Sequence, residues 1–254
     1  MNIKDSQTTR SAVVTGASSG IGQATVRALR DQGWKVFAVA RRADRLETLA
    51  QQTGAISVPG DVSVQTDVDV LAKAIESEGG IDTLINCAGG ARGTEHWADA
   101  IDENWEFMWQ ANVMGTMRLT RALLPQLRQA RGTVLNVTST AALASYEGGS
   151  GYNAAKAAER AMTQALRLEE VENGLRVIEI LPGLVHTEEF ALRRLGSQSA
   201  ADNVYAGVEN PLTAEDVAEV IRYAVSAPAH VNLDEIVIRP QAQAANHKLI
   251  RNAK

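Results

Sequence analysis

The sequence is poor in cysteine, aromatic residues and proline. Cys87 is the single cysteine among 254 residues, so no intrachain disulfide can form and nothing indicates an oxidising compartment. Aromatic residues make up only 4% of the chain, and six prolines are too few for a proline-rich linker. Aliphatic residues therefore carry most of the 45% apolar fraction, as is typical of helices packed on a buried sheet.

Long hydrophobic runs are also absent. No stretch approaches the ~20 apolar residues that a membrane-spanning helix needs. Residues 1–10 are polar and lack the apolar segment of a signal peptide. We therefore expect a cytoplasmic protein with no membrane partner.

The chain lacks an excess of positive charge and any histidine cluster. Its 25 Lys and Arg residues are outnumbered by 30 Asp and Glu residues, which gives a net charge of −5. This balance argues against a general nucleic-acid-binding protein, so any phosphate site must be local. His96 and His186 have no partners at metal-ligand spacing, and we expect no metal.

Short β-branched runs alternate with helical patterns along the chain. Such alternation predicts a Rossmann-type, doubly wound α/β fold, with a seven-stranded parallel sheet covered by helices on both faces. Because no repeat or linker divides the chain, residues 1–254 are expected to form a single domain. The predicted strands are Ala12–Val14, Val36–Val39, Ala55–Val58, Thr83–Ile85, Thr133–Val137, Val177–Leu181 and Ile236–Ile238.

A polar segment over residues 188–210 follows the sixth predicted strand. Parallel α/β sheets bind ligands beyond the carboxyl ends of their strands, so we predict a partly mobile substrate lid here. An ordinary surface excursion is the alternative. Just beyond it, Thr213 with Asp216 three residues later has the pattern of a helix N-terminus.

A glycine-rich turn lies between the first predicted strand and the first predicted helix. Its glycines allow a tight turn and a close approach to a pyrophosphate, and the helix N-terminus supplies free N–H groups. Taken alone, such a turn is weak evidence, because glycine also serves ordinary turns. The residues expected to bind a dinucleotide are Gly16, Ser18, Ser19, Gly20, Ile21 and Gly22.

The end of the second predicted strand carries Arg41 and Arg42 after Ala40. Sites that prefer NAD usually place an acidic side chain here for the ribose 2′-hydroxyl, whereas guanidinium groups can hold a 2′-phosphate. The pair therefore predicts NADP(H) as the cofactor. A solvated helix start is the alternative, since Arg45 and Glu47 follow closely.

Tyr152 and Lys156 lie four residues apart in a helical pattern and so share one helix face. A free tyrosine, with a pKa of about 10, is a poor base at neutral pH. A nearby ammonium favours the phenolate and would make the pair a general acid or base. Alone, the spacing fits a surface pair better.

Several further motifs occur in a fixed order around this pair. Ser139 lies thirteen residues before Tyr152, and Cys87 stands where a second asparagine is usual in an NNAG motif. The other residues of these ordered motifs are Asp61 and Val62, Asn86, Ala88 and Gly89, Asn112, and Pro182, Gly183, Val185 and Thr187. Together with the glycine turn, these motifs resemble the short-chain dehydrogenase/reductase family over nearly the whole chain. The resemblance implies that these other residues, except Asn112, bind the cofactor, with Asp61 and Val62 at the adenine and Pro182, Gly183, Val185 and Thr187 on the nicotinamide side.

The resemblance implies a division of labour among four residues. Tyr152 would exchange a proton with the substrate oxygen, and Ser139 would orient that oxygen. Lys156 would bind the nicotinamide ribose and lower the pKa of Tyr152, and Asn112 would hold a water in a proton relay. The implied reaction passes a hydride between NADP(H) and an alcohol or carbonyl substrate. An NADP-binding sensor without turnover and an epimerase or dehydratase on the same fold are the alternatives.

The resemblance also bears on the tail, the assembly and the substrate. Residues 211–240 are similar to the branch with 3-hydroxy acid (serine-type) dehydrogenases and clavulanate-type aldehyde reductases. The family implies a homotetramer, or a homodimer, through helices near 102–130 and 151–173 and through the C-terminal helix and strand. An arginine could bind a substrate carboxylate, and Trp97, Trp105 and Trp109 are expected to pack. Candidate substrate contacts are Arg92, His96, Trp97, Tyr146, Glu147, His186, Glu188, Arg193 and Arg194.

Overall fold

The computed structural model describes residues 10–252 and contains one parallel seven-stranded sheet. The order of the strands is β3-β2-β1-β4-β5-β6-β7. The predicted Rossmann-type fold is therefore confirmed, and no strand end differs from the predicted one by more than one residue. The strands are β1 (Ser11–Thr15), β2 (Lys35–Ala40), β3 (Ile56–Pro59), β4 (Thr83–Asn86), β5 (Thr133–Val137), β6 (Arg176–Pro182) and β7 (Glu235–Ile238).

Nine α-helices connect and cover these strands in the described part of the chain. The fourth and fifth are joined without a break by a π-helical turn over Trp109–Met114. The helices are α1 (Gly20–Asp31), α2 (Ala43–Thr53), α3 (Gln65–Ser77), α4 (Asp102–Met108), α5 (Gly115–Ala130), α6 (Ser150–Glu170), α7 (Phe190–Leu195), α8 (Gln198–Tyr205) and α9 (Ala214–Ser226).

The aliphatic strands explain the layering, because alternate side chains point to opposite faces of the sheet. Val14 of β1 belongs to a buried apolar cluster with residues of α1, α2 and α9. Its neighbour Val13 belongs to a second cluster with residues of α3 and α5. The sheet thus has an apolar core on each face, and most of its strand residues are apolar.

Chain order reverses beside β1, which pairs with β2 on one side and β4 on the other. Helices diverge on either side of such a point, and a crevice opens beyond the carboxyl ends of the two strands. Thr15 at the end of β1 joins the two strand ends at the bottom of this crevice. The Thr15 hydroxyl accepts hydrogen bonds from the backbone N–H groups of Cys87 (3.0 Å) and Ala88 (2.9 Å).

In the C-terminal third, the sequence predicted the start of α9 but not a short hairpin that follows β7. Thr213 and Asp216 form a reciprocal capping box at the start of α9, as predicted. A small antiparallel hairpin of β8 (Gln243–Ala245) and β9 (Lys248–Leu249) was not predicted, because such short strands carry no periodicity. The side-chain amide of Asn246 in its turn donates to the carbonyl oxygens of Thr140 and Ala144.

The three neighbouring tryptophans that were expected to pack do not line the crevice, and they differ in exposure. Trp97 is 74% exposed and Trp109 is 46% exposed, whereas Trp105 is partly buried. The ring of Trp97 lies 5.3 Å from that of Trp105 and covers its outer side. Within residues 10–252, no helix combines the length and the apolar character needed to cross a membrane.

Candidate active site

The glycine turn between β1 and α1 has a backbone that only glycine suits. Gly16 and Gly20 have φ values of 66° and 52°, in the left-handed region. A Cβ at Gly22 would lie 2.5 Å from the carbonyl oxygen of Gly16, so the helix must begin against the strand end. Ser19 precedes α1 without capping it, which leaves the first N–H groups of this twelve-residue helix free for an anion.

The segment after β6 lies over this turn. A Cβ at Gly20 would lie 3.4 Å from Cγ2 of Thr187, which places the predicted nicotinamide-side motif against the predicted phosphate turn. Gly183 is anchored to β7 through its N–H, which donates to the carbonyl of Ile238 at 2.8 Å. The two predicted cofactor segments therefore face one another across the crevice.

Arg42 reaches back to the glycine turn. Its guanidinium donates hydrogen bonds to the hydroxyls of Ser18 (2.8 Å) and Ser19 (2.9 Å). Arg41 lies 3.7 Å from the carboxylate of Asp61, so both predicted cofactor arginines border the same crevice. Their positions fit a phosphate on the adenosine side of a dinucleotide.

Glu189 is a polar residue of this region that the sequence analysis missed. Its carboxylate lies 2.6 Å from Arg42, 2.6 Å from Arg45 and 2.7 Å from Arg193. Burial alone would raise the pKa of Glu189, but the hydrogen bond from Arg42 and the nearby positive charges outweigh it and lower the pKa to about 2. The carboxylate is therefore ionised among three arginines.

Asn112 lies in the π-helical turn and is fully buried. Its amide nitrogen donates to the carbonyls of Met108 (2.6 Å) and Gly90 (2.9 Å), and its amide oxygen accepts from the N–H of Gly90 (3.1 Å). The wider turn breaks the regular ladder of helical hydrogen bonds. Asn112 consequently fixes the loop after β4 at the edge of the crevice.

Tyr152 and Lys156 lie one turn apart at the start of α6, and only 8% and 4% of their surfaces are exposed. The Lys156 ammonium lies 5.9 Å from the centre of the Tyr152 ring and donates to the carbonyl of Val137 at 3.2 Å. Burial raises the pKa of Tyr152 above its ordinary value, although the Lys156 charge and a hydrogen bond with Ser139 act to lower it. The pair is thus buried together and electrostatically linked, unlike a surface pair.

Ser139 lies close to Tyr152 but comes from a different element of the fold. It follows β5, and its hydroxyl accepts a hydrogen bond from the N–H of Ala141 at 3.1 Å, which starts a short 3₁₀ turn. Its oxygen also lies 3.5 Å from the carbonyl oxygen of Pro182. The hydroxyl therefore lies between the end of β5 and the predicted cofactor segment after β6.

A cavity of about 1020 Å³ joins these parts. Most of the predicted cofactor residues line it, from the glycine turn, the arginine pair, the Asp61 and Val62 pair and the segment after β6, together with Ser139 and Tyr152. Asn112 and Lys156 lie behind this surface. Asn86 is also off the cavity: it is buried and its amide donates to Thr120 and to Asn136.

Among the candidate substrate contacts, the structure separates two groups. Arg92, Tyr146, Glu147, Arg193 and Arg194 line the cavity, whereas His96, Trp97, His186 and Glu188 do not. Residues 10–252 contain no cluster of three His, Cys, Asp or Glu side chains that could hold a metal.

Two arginines of the lining group have contrasting surroundings. Arg194 donates to the hydroxyl of Tyr146 (2.8 Å) and to the carbonyl of Gly148 (3.0 Å), and its guanidinium carbon lies 5.7 Å from the centre of the Tyr152 ring. Arg92 is exposed and lies 3.8 Å from the ring centre of Phe107, with no acidic partner among the residues described here. Arg194 likewise has no acidic partner among the described residues, but its guanidinium is held by protein acceptors, whereas that of Arg92 is exposed beside the cavity.

Comparison with known proteins agrees with this architecture. The family model described as short chain dehydrogenase matches residues 10–196. The chain is 52% identical to an uncharacterised oxidoreductase of Mycobacterium tuberculosis over 93% of both chains, and 39% identical to a serine 3-dehydrogenase of Agrobacterium fabrum over 91% of this chain and 94% of that one. The closed form of serine dehydrogenase complexed with NADP⁺ has the same fold, with a TM-score of 0.90 and 34% identity over 96% of this chain and 100% of that one.

The chain belongs to the short-chain dehydrogenase/reductase family and is an oxidoreductase of that family. Members of this family use a nicotinamide cofactor and act on small molecules.

Proposed function

We propose that this protein is an NADP(H)-dependent oxidoreductase that interconverts an alcohol and a carbonyl compound, with Tyr152 as the general acid or base. The observation that carries the proposal is the placement of Tyr152 and Ser139 on the cavity that also contains the glycine turn. One cavity can then hold a dinucleotide and a small substrate in contact.

The cofactor would bind along the crevice. The free N–H groups of α1 and the backbone of the glycine turn would hold the pyrophosphate, and Asp61 and Val62 would contact the adenine. Arg41 and Arg42 would hold the 2′-phosphate, in keeping with the NADP⁺ bound to the similar serine dehydrogenase. When bound, the nicotinamide would supply or accept the hydride.

The chain's own residues would handle the proton. In the reducing direction the Tyr152 hydroxyl would donate its proton to the substrate oxygen as the carbonyl π electrons move onto that atom, and in the oxidising direction the phenolate would take the proton back. The Ser139 hydroxyl would hold the substrate oxygen beside Tyr152. Lys156 would bind the nicotinamide ribose, and Asn112 would hold a water that connects Lys156 to solvent.

The substrate we propose is a small hydroxy acid or the corresponding oxo acid. Arg92 lines the cavity and lacks an acidic partner in the described part of the chain, so it is available to a carboxylate. The likeness to serine 3-dehydrogenase supports a substrate that carries a carboxylate. Serine and related 3-hydroxy acids are therefore the first compounds to test.

Three features beyond the reaction remain proposals. Segment 188–210 contains α7 and α8, and we propose that it closes over the substrate as a lid of the one domain formed by residues 1–254. Leu168 and Val171 near the end of α6 and Tyr223 on α9 are exposed, which supports a homotetramer or homodimer through these helices. Light scattering would measure the mass against 27.2 kDa for one chain.

The test is a screen for NADPH oxidation with aldehydes, ketones, quinones and oxo acids, with the reverse reaction on hydroxy acids including serine. We expect net consumption of NADPH with at least one carbonyl compound. NADPH binding without consumption would instead favour a sensor. Product formation without net consumption would favour an epimerase or dehydratase.

A further inference from the structure

Glu159 is a buried carboxylate that the proposed reaction does not use. It lies one turn after Lys156 on α6, its side chain is completely buried, and Oε2 is 2.7 Å from the Lys156 ammonium. Its other oxygen, Oε1, accepts a hydrogen bond from the hydroxyl of Thr116 on α5 at 3.2 Å. Both oxygens are therefore held, and the carboxylate has a fixed position behind the cavity.

Polar and charged groups from several neighbouring elements act on the pair formed by Lys156 and Glu159. Lys156 and Tyr152 come from its own helix, Thr116 from α5 and the thiol of Cys87 from the segment after β4. Glu179 of β6 also faces the region, but its carboxylate accepts a hydrogen bond from Thr138 at 2.6 Å. Lys156 is the cation paired with Glu159 in the described structure.

Glu159 has a structural role as the counter-ion of the buried Lys156 ammonium, because removal of one partner of a buried ion pair leaves an uncompensated charge. Taking a charge out of water is costly, and apolar residues of similar volume often replace buried ion pairs without loss of stability. Lys156 also has a second acceptor in the carbonyl of Val137. Burial raises the pKa of Glu159, whereas the Lys156 charge and the hydrogen bonds from Lys156 and Thr116 favour its ionised form. The ionised carboxylate also acts on the electrostatics of the reacting groups beside it.

We infer that Glu159 is a positioning residue that anchors the Lys156 ammonium and offsets its charge, so that Tyr152 keeps its proton and the site favours carbonyl reduction. The inference rests on the proposed function, because it concerns the same tyrosine. It adds to that function that the site favours reduction of the carbonyl over oxidation of the alcohol.

The charges of Lys156 and Glu159 determine the direction in which the pKa of Tyr152 moves. A lone ammonium beside Tyr152 stabilises the phenolate, whereas an ammonium paired with a carboxylate does so less. Burial raises the pKa of Tyr152, and the charge of Glu159 acts in the same direction. A protonated Tyr152 can donate to the oxygen of a carbonyl as the hydride reaches its carbon, and solvent then returns the proton to the phenolate.

The test compares Glu159→Gln with the wild type by titrating tyrosinate absorbance without cofactor or substrate. Subtraction of the same titration in a Tyr152→Phe background isolates the signal of Tyr152, and circular dichroism checks folding at each pH. We expect Glu159→Gln to lower the midpoint for Tyr152 by about one pH unit or more. An unchanged or higher midpoint would overturn the inference.

Glu170 provides a matched control. It is a buried glutamate of the same helix, and its carboxylate pairs with Arg128 at 2.6 Å, away from the cavity. Glu170→Gln should leave the midpoint of Tyr152 unchanged, while Glu159→Asp, which keeps the charge, should restore it toward the wild-type value. If Glu159→Gln does not fold, Glu159→Leu gives the same comparison with an apolar side chain.

The pH profile of alcohol oxidation is a second readout. For Glu159→Gln, kcat/KM should begin to rise at a lower pH than in the wild type, by the same shift as in the titration. Failure of the proposed function would appear as an absence of turnover by the wild type. Failure of the present inference would appear in the titration, which needs no turnover.

Discussion

The carboxylate of Glu189 lies 2.6 Å from Nη1 of Arg42 and so connects segment 188–210 to the arginine beside the glycine turn. A residue of the proposed lid thus contacts a residue of the proposed 2′-phosphate site. Lid position and cofactor binding are expected to influence one another through this contact.

Removing the charge of Glu189 should loosen the lid. Glu189→Gln loses its ion pairs with Arg42, Arg45 and Arg193, so segment 188–210 should be cut faster in limited proteolysis. The neighbouring Glu188→Gln is the control, since Glu188 is exposed and takes part in no ion pair within the described residues. Added NADPH should slow cleavage of the wild type; cleavage unaffected by NADPH and by the substitution would contradict a lid.

The contribution of Glu189 should also depend on pH. Its pKa is lowered from about 4.5 to about 2 in the folded chain, so the stabilisation is complete above the ordinary value and is lost as the pH falls toward about 2. The difference in melting temperature between the wild type and Glu189→Gln should be constant near neutral pH and shrink below pH 4.5. A constant difference throughout acid titration would contradict the assignment.

The arginine pair should discriminate between the two nicotinamide cofactors. Joint replacement of Arg41 and Arg42 by alanine removes charge-assisted hydrogen bonds to a 2′-phosphate, each of which contributes roughly 1.5–3 kcal/mol. The KM for NADPH should rise by about tenfold or more, with a much smaller change for NADH. Arg27→Ala, on the outer side of α1, should change neither value; equal effects on both cofactors would contradict the assignment.

Tyr152→Phe removes one oxygen atom and should separate binding from chemistry. The ring still packs against Phe190, whose centre lies 5.8 Å away, so the fold and the cofactor site should persist. Turnover should fall by at least about a hundredfold, the usual contribution of a general acid or base. The binding of NADPH, followed by fluorescence, should stay near the wild-type value, and a fully active variant would refute the mechanism.

Arg92 should contribute to substrate binding through its charge. Arg92→Ala should raise the KM for a hydroxy acid or oxo acid by about tenfold or more, because a charge-assisted contact is lost. A neutral ketone of similar size should be affected far less, which makes it the internal control. Equal effects on charged and neutral substrates would place the carboxylate elsewhere.

The residues that the sequence located well are those fixed by spacing along one element. The glycine turn needs residues between one strand and one helix, and Tyr152 and Lys156 meet because one helical turn separates them. Ser139 and the segment after β6 follow from the edge at which parallel strands end. Such relationships lie within one or two neighbouring elements, or follow from the fact that parallel strands end at the same edge of the sheet.

Residues defined by long-range packing could not be located in the same way. Glu189 is about 150 positions from Arg42, and only the folded chain brings them together. Glu159 lies three residues after Lys156 and shares its helix face, a spacing that the sequence analysis did not use, but its complete burial depends on the neighbouring α5 and β6. Helical spacing alone does not show which face of a helix is covered, so the exposure of the Trp97 ring could not be predicted from the sequence.

The π-helical turn at Trp109–Met114 constrains the number of residues in this stretch more strongly than it constrains which residues they are. Each residue of an α-helix turns the chain by about 100°, so deletion of one residue would rotate Asn112 relative to the buried face of α5. Either the asparagine would leave the loop after β4 or the apolar face would leave the sheet. Homologous chains should therefore vary here by substitution and rarely by a gap, whatever substrate they use.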